Sequence, residues 1–596
     1  MKPIWKWLIG ILVLIVVALA GISWYFSRNW KPILEEKLKE VVINSTDSLY
    51  SLTYDDLDIK VVLGSITLKN AVLRADTQVY ARMEAAELAP DNLYDVEIKE
   101  LKVKRFGIMA VFTDKQLNIQ SIDLTDPRIH LTNRYHAYND TVSTEKQPKK
   151  SLYESIQDIF NAVRVGRVDV ENATFKYSKL VDGQLSDFGL EHVQIRAKDI
   201  LIDENAQADT SRLYYTKMIE AIVPGFEYEF SDGFYRAKFD TLRINTEERA
   251  LWLTNVELKP ILDKAAFYKK HGKNVTRTDL HFETIYLEKL DFKKLIEEQQ
   301  TVAHSALIKN GYAMLYGDKR YPKQPINQIG QAPHQKLMRV NKLIHVDTVF
   351  VENVDVVYGE MSGKYHREGE ISFNGATGTV TNVTNDTLRL AGDKYMKADF
   401  RAKVMNSGNL HAKFSFDMLS TTGEHSYSGT LGAMKAPAFN RVLFPLLNVE
   451  ISSGNIRGIR FDIRGTDYRS RGDFRFDYDN LKIDLKGDPD KPMKKSSLKV
   501  MSFLVNQMII NDSNPDANER YHVGKVDHRR VPEHTFFKNL WQSLLDGIKQ
   551  TAGISKEREE KWKERAEVAK QTMERTKETT TQTKGFFRGL FNKKEK

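Results

Sequence analysis

The sequence predicts a mainly β, predominantly antiparallel protein, and three observations carry that expectation: strict apolar–polar alternation, a recurring asparagine at which the alternation changes parity, and a shortage of helical periodicity. Alternation begins at Leu57-Asp58-Ile59-Lys60-Val61 and Ile66-Thr67-Leu68. It returns at Val96-Glu97-Ile98, Phe461-Asp462-Ile463 and Leu481-Lys482-Ile483-Asp484-Leu485. A period of two gives a strand one apolar and one wet face. Helical stretches are too few to alternate with these strands, which argues against an α/β arrangement.

The asparagine recurs in Leu68-Lys69-Asn70-Ala71-Val72-Leu73, Val170-Glu171-Asn172-Ala173-Thr174-Phe175, Leu253-Thr254-Asn255-Val256-Glu257-Leu258 and Val351-Glu352-Asn353-Val354-Asp355-Val356. Before it the apolar residues hold one parity, and after it the other: Val168 and Val170 are even, Ala173, Phe175 and Tyr177 odd. A slip of one residue swaps the faces of a strand, so each asparagine must mark a bulge or tight turn that keeps the same face inward. Asparagine suits such a backbone. Its role is structural, and these residues are assigned no chemistry.

Short helices interrupt the strands. One follows a polar loop, with Leu152, Ile156, Phe160 and Val163 on one face, and Leu213 to Ile222 reads as another. A loop bearing Pro322, Pro325 and Pro333 separates two halves of the body. These helices are too small to cover the apolar faces of so many strands, and large apolar patches are rarely left open to water. Either a second sheet covers them, as in a sandwich or closed barrel, or one sheet curls into a trough whose inner wall meets acyl chains.

Near the N-terminus, residues 7 to 26 carry no charge and are rich in Leu, Ile and Val, long enough at 1.5 Å per residue to span a ~30 Å hydrocarbon layer. Trp5 and Trp7 at one end and Trp24 and Tyr25 at the other form interfacial belts. Ala18-Leu19-Ala20 mimics a signal cleavage site, but the apolar run continues past it, favouring a retained anchor. Lys2 and Lys6 are balanced by Arg28 and Lys31, so charge does not orient the helix; the short head before a long tail argues for an exported body. A short amphipathic helix follows, with Leu34, Leu38 and Val41 on one face.

At the other end, Phe536, Phe537, Leu540, Trp541, Leu544, Leu545 and Ile548 recur at helical spacing, and a charged helix from Lys556 to about Thr579 follows. The chain closes on Phe586, Phe587, Leu590 and Phe591 beside lysines. With Trp541, these aromatics suit contact with a membrane interface or a partner.

The function classes excluded are several. Net charge is +9 on 89 basic and 80 acidic residues, spread thinly and without a basic, aromatic-interleaved stripe, so no nucleic-acid partner is expected. The absence of cysteine removes disulfides, thiolate zinc sites and cysteine nucleophiles. No phosphate loop, dinucleotide fingerprint, nucleophile elbow or zinc-protease motif is present. His522, His528 and His534 match no familiar ligand spacing and read as scattered surface residues. Asp488-Pro489-Asp490 reads as a turn. The expectation is therefore a protein that is not an enzyme, with no cofactor and no metal.

Trp30-Lys31-Pro32-Ile33-Leu34, Tyr54-Asp55-Asp56-Leu57-Asp58-Ile59 and Leu63-Gly64-Ser65-Ile66-Thr67-Leu68-Lys69-Asn70-Ala71, behind an N-terminal helix, resemble the opening of AsmA-like proteins of Gram-negative envelopes. Phe439-Asn440-Arg441-Val442-Leu443-Phe444-Pro445-Leu446-Leu447, Ser453-Gly454-Asn455-Ile456 and Gly472-Asp473-Phe474-Arg475-Phe476-Asp477-Tyr478-Asp479-Asn480-Leu481 resemble their C-terminal region. The resemblance spans most of residues 5 to 490, and about residues 190 to 340 match it least. It implies an elongated, twisted antiparallel sheet curled into an apolar groove, on a single-pass inner-membrane anchor with the bulk of the chain periplasmic. The implied role is moving phospholipid toward the outer membrane, or outer-membrane assembly. Partners would be phospholipid acyl chains, the inner membrane, and outer-membrane or envelope proteins.

The implied organisation is a cytoplasmic N-terminus (1–6), a transmembrane anchor (7–26), an N-terminal β-groove region (27–140), a middle β region with short helices (141–330), a C-terminal β-groove region (331–530) and an amphipathic and charged helical tail (531–596). On this resemblance, the groove-lining candidates are Ile66, Leu68, Val168, Val170, Phe461, Ile463, Phe474, Phe476, Ile483 and Leu485. About 20 strands spaced ~4.8 Å apart would form a trough on the order of 100 Å long. The alternative is a scaffolding envelope protein with a closed β core and no lipid transfer.

Overall fold

The alternating segments become strands of a single sheet. The computed structural model describes residues 42–43, 46–60, 63–107, 110, 113–141, 152–157, 160–181, 184–206, 208–323, 325–486 and 511–553. The proposed anchor, the charged helix after Lys556, the terminal aromatics and the Asp488 turn lie outside these residues. Among the described residues, no helix is long and apolar enough to cross a membrane.

The first block holds β1 (Tyr50–Thr53), β2 (Asp56–Lys60), β3 (Ser65–Ala75), β4 (Asn92–Gly107) and β5 (Gln116–Asn133). The second runs through β6 (Ala162–Val181), β7 (Gln184–Ile202), β8 (Thr216–Glu229), β9 (Tyr235–Asn245), β10 (Ala250–Pro260), β11 (Arg277–Glu288) and β12 (Thr301–Asp318). A third begins with β13 (Ile344–Met361), β14 (Glu368–Thr384), β15 (Tyr395–Val404), β16 (Gly408–Asp417) and β17 (His425–Leu431). It ends with β18 (Met434–Lys435), β19 (Val449–Gly465), β20 (Arg469–Leu485) and β21 (Val523–Arg529).

Together these form one 21-stranded sheet. β1 and β2 share β3 as partner, and each strand from β3 to β16 pairs with the next. β17 and β18 then pair with β19, which passes to β20 and β21. Among the described residues β21 does not pair with β1 or β2, so the sheet stays open. Its breadth across the strands is roughly 90 Å at the usual spacing.

Leu213 to Ile222, expected as a helix, is instead the approach to β8 and its first half. Ile219 and Ala221 stand opposite Ala197 and Ile195 of β7. The β-branched residues that a helix disfavours find cross-strand partners there. The helix expected through Val163 stops at Ile156, and Val163 already belongs to β6.

Two junctions break the antiparallel rule. β5 with β6, and β12 with β13, run parallel. A parallel neighbour requires the chain to return to the end where the previous strand began, so each junction carries a long crossover. The first includes α2 (Tyr138–Thr141) and α3 (Leu152–Ile156), after α1 (Thr77–Ala85) earlier in the chain. The second is the proline-bearing loop and α5 (Pro333–Met338), after α4 (Lys264–His271). Further on lie α6 (Thr387–Leu390), α7 (Asn440–Leu447) and α8 (Phe536–Thr551).

The four repeat asparagines all adopt left-handed backbone inside continuous strands, with φ of 49° at Asn70, 58° at Asn172, 48° at Asn255 and 52° at Asn353. Asp126, His192, Gly225, Asn310 and Gly375 share that conformation. Register places these positions beside one another, from β3 to β14. Ladder shifts fall between Val170 and Ala173 and between Val351 and Val354. Each bulge bends its strand and restores the apolar parity, so a crease crosses the sheet. Polar side chains bridge it: Asn70 donates to Asp55 at 2.7 Å, Asn255 to Asp240 at 2.7 Å and Asn310 to Glu283 at 2.8 Å.

The apolar face is sealed at both ends. At the first, Leu57, Ile66, Leu68, Leu101 and Val103 are buried together with Tyr80 of α1 and with Ile156 and Phe160 of the first crossover. Each such side chain contributes ~1.5–3 kcal/mol on leaving water. At the second end, α8 lies on β20 and β21 over Phe474, Tyr478 and Ile463. Its buried face is small and polar, with Asn539, Ser543, Gly547 and Thr551 spaced four apart. A Cβ on Gly547 would stand 2.5 Å from the Phe474 ring, so only glycine allows this approach.

The second crossover joins this seal. Ala332, Leu337 and Met338 pack with Met396, Phe416 and Phe536. A buried ion pair fastens it: Arg530 Nη1 donates to Asp467 Oδ1 at 2.8 Å, the side chains being 1% and 4% exposed. Gln335 of α5 donates to the other Asp467 oxygen at 2.7 Å, and Arg530 also donates to the Gln328 carbonyl at 2.7 Å.

Candidate functional site

Between the two sealed ends, from β8 to β13, no second layer among the described residues covers the centre of the apolar face, and one of its flanking rows packs against Leu290 and Phe292. Three cross-strand rows form the face. The central row is Val223, Leu242, Leu253, Ile285, Ile308 and Val351, each opposite the next. Toward one set of strand ends run Ile244, Leu251, Leu287, Ala306 and Val349. On the far side of the crease run Tyr228, Ala237, Leu258, Leu280, Ala313 and Val356. Apart from Val223, these residues are half-buried, unlike their counterparts under the crossovers.

The rows stay in line because of the crease. At its centre Gly311 lies opposite Phe282, and a Cβ there would stand 2.0 Å from the His281 carbonyl oxygen. A side chain at that point would force two strands apart.

Both margins of the surface are built from aromatics and aliphatics brought in by connections. On one side Leu290 and Phe292 pack with Ala303 and Val346. On the other, Phe267 and Tyr268 of α4 pack with Tyr316. The Tyr268 hydroxyl lies 2.7 Å from the Tyr316 carbonyl and 2.9 Å from that of Val275, and burial pushes its pKa far up. Tyr316 donates to Glu368 at 2.8 Å, and Lys264 donates to the same carboxylate at 2.7 Å. Partial burial raises the Glu368 pKa, but these two donors outweigh it and hold the carboxyl below its ordinary value. This margin is thus charged at its outer rim and apolar within.

The opposite face of the same strands is mostly polar, apart from one cross-strand row of Trp252, Tyr286, Leu307 and Phe350. Trp252 stacks on Tyr286 with ring centroids 5.2 Å apart, and the Arg243 guanidinium lies 4.6 Å from the Trp252 ring. Arg243 also donates to Glu220 at 3.0 Å.

The candidates named from sequence fall in different places. Ile66, Leu68 and Val168 are buried at the first end, and Val170 packs against them. Ile463, Phe474 and Phe476 are buried at the second, with Phe461 packed beside them. Ile483 is half-buried opposite Ile451, and Leu485 pairs with Val449 at the end of β20. None of these belongs to the uncovered rows. Those rows contain Leu253, Leu258, Val351 and Val356, which appear in the asparagine repeat; burial on both sides of the repeat, not the repeat itself, tells them apart from Leu68 or Val170.

Trp541 is half-buried, one turn from the exposed Phe537 on α8, while Leu540, Leu544 and Ile548 pack on the sheet. Of the three spaced histidines, His522 lies 2.9 Å from Asp516, and burial lowers the His534 pKa to about 4. Among the described residues no group of histidine and carboxylate side chains is arranged to hold a metal.

What the surface offers chemically is solvation of apolar chains by a creased apolar sheet face between two margins. No protein-family model matches the chain, and no curated protein matches it by sequence.

Proposed function

We propose that the chain shields phospholipid acyl chains on the apolar face between β8 and β13, which serves as the floor of a groove. In this reading it is an AsmA-like, membrane-anchored protein of the periplasm that moves phospholipid or supports outer-membrane assembly. The supporting observation is the half-buried central row from Leu242 to Val351, which meets no second layer among the described residues. Each CH₂ group withheld from water saves about 0.8 kcal/mol, so an acyl chain lying on this row supplies the packing partner it lacks. Headgroups stay wet at the rim beside Lys264 and Glu368. The work is done by burial, without bond chemistry.

Photocrosslinking on the full-length chain in its native membrane tests this. p-Benzoylphenylalanine at Phe282, beside the central row, should label phospholipid, whereas the same probe at Trp252, on the opposite face, should not. Equal labelling from both positions, or none from Phe282, would leave the scaffolding alternative.

A further inference from the structure

We propose that the polar face between β13 and β20 carries a second site, for a phosphate-bearing, hydroxyl-rich anion. This goes beyond acyl shielding, since the site lies on the face away from the apolar rows.

The face is concave there, enclosing a cavity of about 1080 Å³ at the generous end of small-molecule sites. One cross-strand row crosses it, Arg401, His411, Thr430 and Arg460 on β15, β16, β17 and β19, each opposite the next, and Arg475 of β20 continues the row outside the lining. The row contains no carboxylate. Arg460 and Arg475 stand directly opposite one another, an arrangement that destabilises a sheet when nothing lies between the charges. Among the described residues, Arg401, Lys403, Arg460 and Arg475 form no ion pair.

Like-charge pairs recur on these two strands, with Asp462 opposite Asp473 and Arg464 opposite Arg471, so what sets Arg460 apart is that it lines the cavity. On the neighbouring row Asp399, Lys413, Ser428, Asp462, Asp473 and Lys525 follow one another, and both lysines are neutralised, Lys413 by Asp399 at 3.4 Å and Lys525 by Asp473 at 2.7 Å. The two acids lining the cavity accept from neutral donors and keep their charge, which four cations, Arg401, Lys403, Arg457 and Arg460, outnumber. Asp355 accepts from the Gly375 backbone at 2.7 Å, and Asp477 accepts from the Tyr521 hydroxyl at 2.5 Å.

What remains is a field of guanidinium groups spaced across several strands, with Asn406, Asn409 and Thr430 between them. Guanidinium forks match phosphate oxygens in pairs, and amides and hydroxyls match sugar or polyol hydroxyls. Arg401 and Arg460 lie three strands apart, roughly 14 Å along the sheet, so inorganic phosphate is too small to meet both. A polyol or saccharide bearing more than one phosphate fits, either free or as a lipid headgroup.

The test uses the full-length chain in detergent and myo-inositol hexakisphosphate as probe. Calorimetry should show saturable, salt-sensitive binding, weakened about tenfold or more by Arg401→Gln with Arg460→Gln. Lys413→Gln with Lys525→Gln, on the balanced row, should leave it intact. Arg460→Gln alone should raise the Tm of the ligand-free chain by relieving repulsion and diminish the probe-induced rise. Phosphatidylcholine vesicles with and without phosphatidylinositol 4,5-bisphosphate separate the two sources: capture through the same arginines only when the phosphoinositide is present marks a headgroup site, and probe binding without capture marks a soluble ligand. No saturable binding of the probe, equal losses from both double variants, or a lower Tm for Arg460→Gln would overturn the proposal.

Discussion

The Asn353 side-chain amide donates to Asn310 Oδ1 at 3.0 Å across the parallel junction of β12 and β13, and both residues hold left-handed backbone inside their strands. The pair joins the crease where the sheet changes from antiparallel to parallel pairing. Asn353→Gly should therefore be tolerated, because glycine keeps the backbone. Asn353→Val should cost about 1–2 kcal/mol, since a β-branched residue resists positive φ. Thermal unfolding of the two variants checks this; equal Tm values would mean the crease does not constrain the strand.

Charge introduced on the uncovered rows should affect lipid retention while sparing the fold. Ile285→Glu and Leu253→Glu lie on half-buried positions with no facing layer. Phe474→Glu is different, since that side chain is 1% exposed beneath α8. Lipid extraction with mass spectrometry and a thermal melt should separate them: the first two variants lose phospholipid with a Tm near wild type, and the third unfolds. Unfolding of all three alike would mean that the β8–β13 surface is covered in solution.

Breaking the Asp467–Arg530 pair should loosen the covering layer at the second end. Removing one partner leaves a buried charge alone, a loss of ~3–5 kcal/mol. Asp467→Ala should thus strongly lower stability in denaturant titration, and Asp467→Leu with Arg530→Met should recover much of it. A double variant as unstable as the single would show that the hydrogen bonds to Gln328 and Gln335, not the unpaired charge, dominate.

Acid should destabilise the same region through His334. It is fully buried, its ring tilted against Phe416 with centroids 5.1 Å apart, and burial lowers its pKa from 6.5 to about 4. The unfolded chain takes up the proton near pH 6.5 and the folded chain only near pH 4. Its contribution is complete above the unfolded value and is lost as pH falls through that window, amounting to ~2–3 kcal/mol at the lower end. Neither ring nitrogen has a hydrogen-bond partner, so His334→Phe should flatten the Tm–pH curve between those limits without losing a bond. An unchanged curve would assign the acid sensitivity to other groups.

Much of this architecture is written locally. Alternation at Leu57 to Lys60 and at Phe461 to Ile463 falls within β2 and β19, and the parity change at Asn70, Asn172, Asn255 and Asn353 coincides with left-handed backbone. Both are properties of a few adjacent residues. Burial of a given apolar residue is not. Leu68 and Leu253 carry the same pattern, yet among the described residues only Leu68 lies under a crossover, because coverage depends on where a distant segment returns. The same holds for α8: the spacing of Phe536, Leu540 and Leu544 marks an amphipathic helix, but its seating depends on Gly547 meeting Phe474. Leu213 to Ile222 reads as a helix in sequence for a related reason, since only the partners of Ile219 and Ile222 on β7 make it a strand.

The two crossovers bracket a run of hairpins in which β8 to β11 pair only with their sequence neighbours. An added hairpin there would lengthen the exposed interval by about 10 Å and leave the pairing of both capped termini unchanged. The span of such a molecule is therefore a countable, adjustable quantity, set by duplication of small units instead of redesign of the whole.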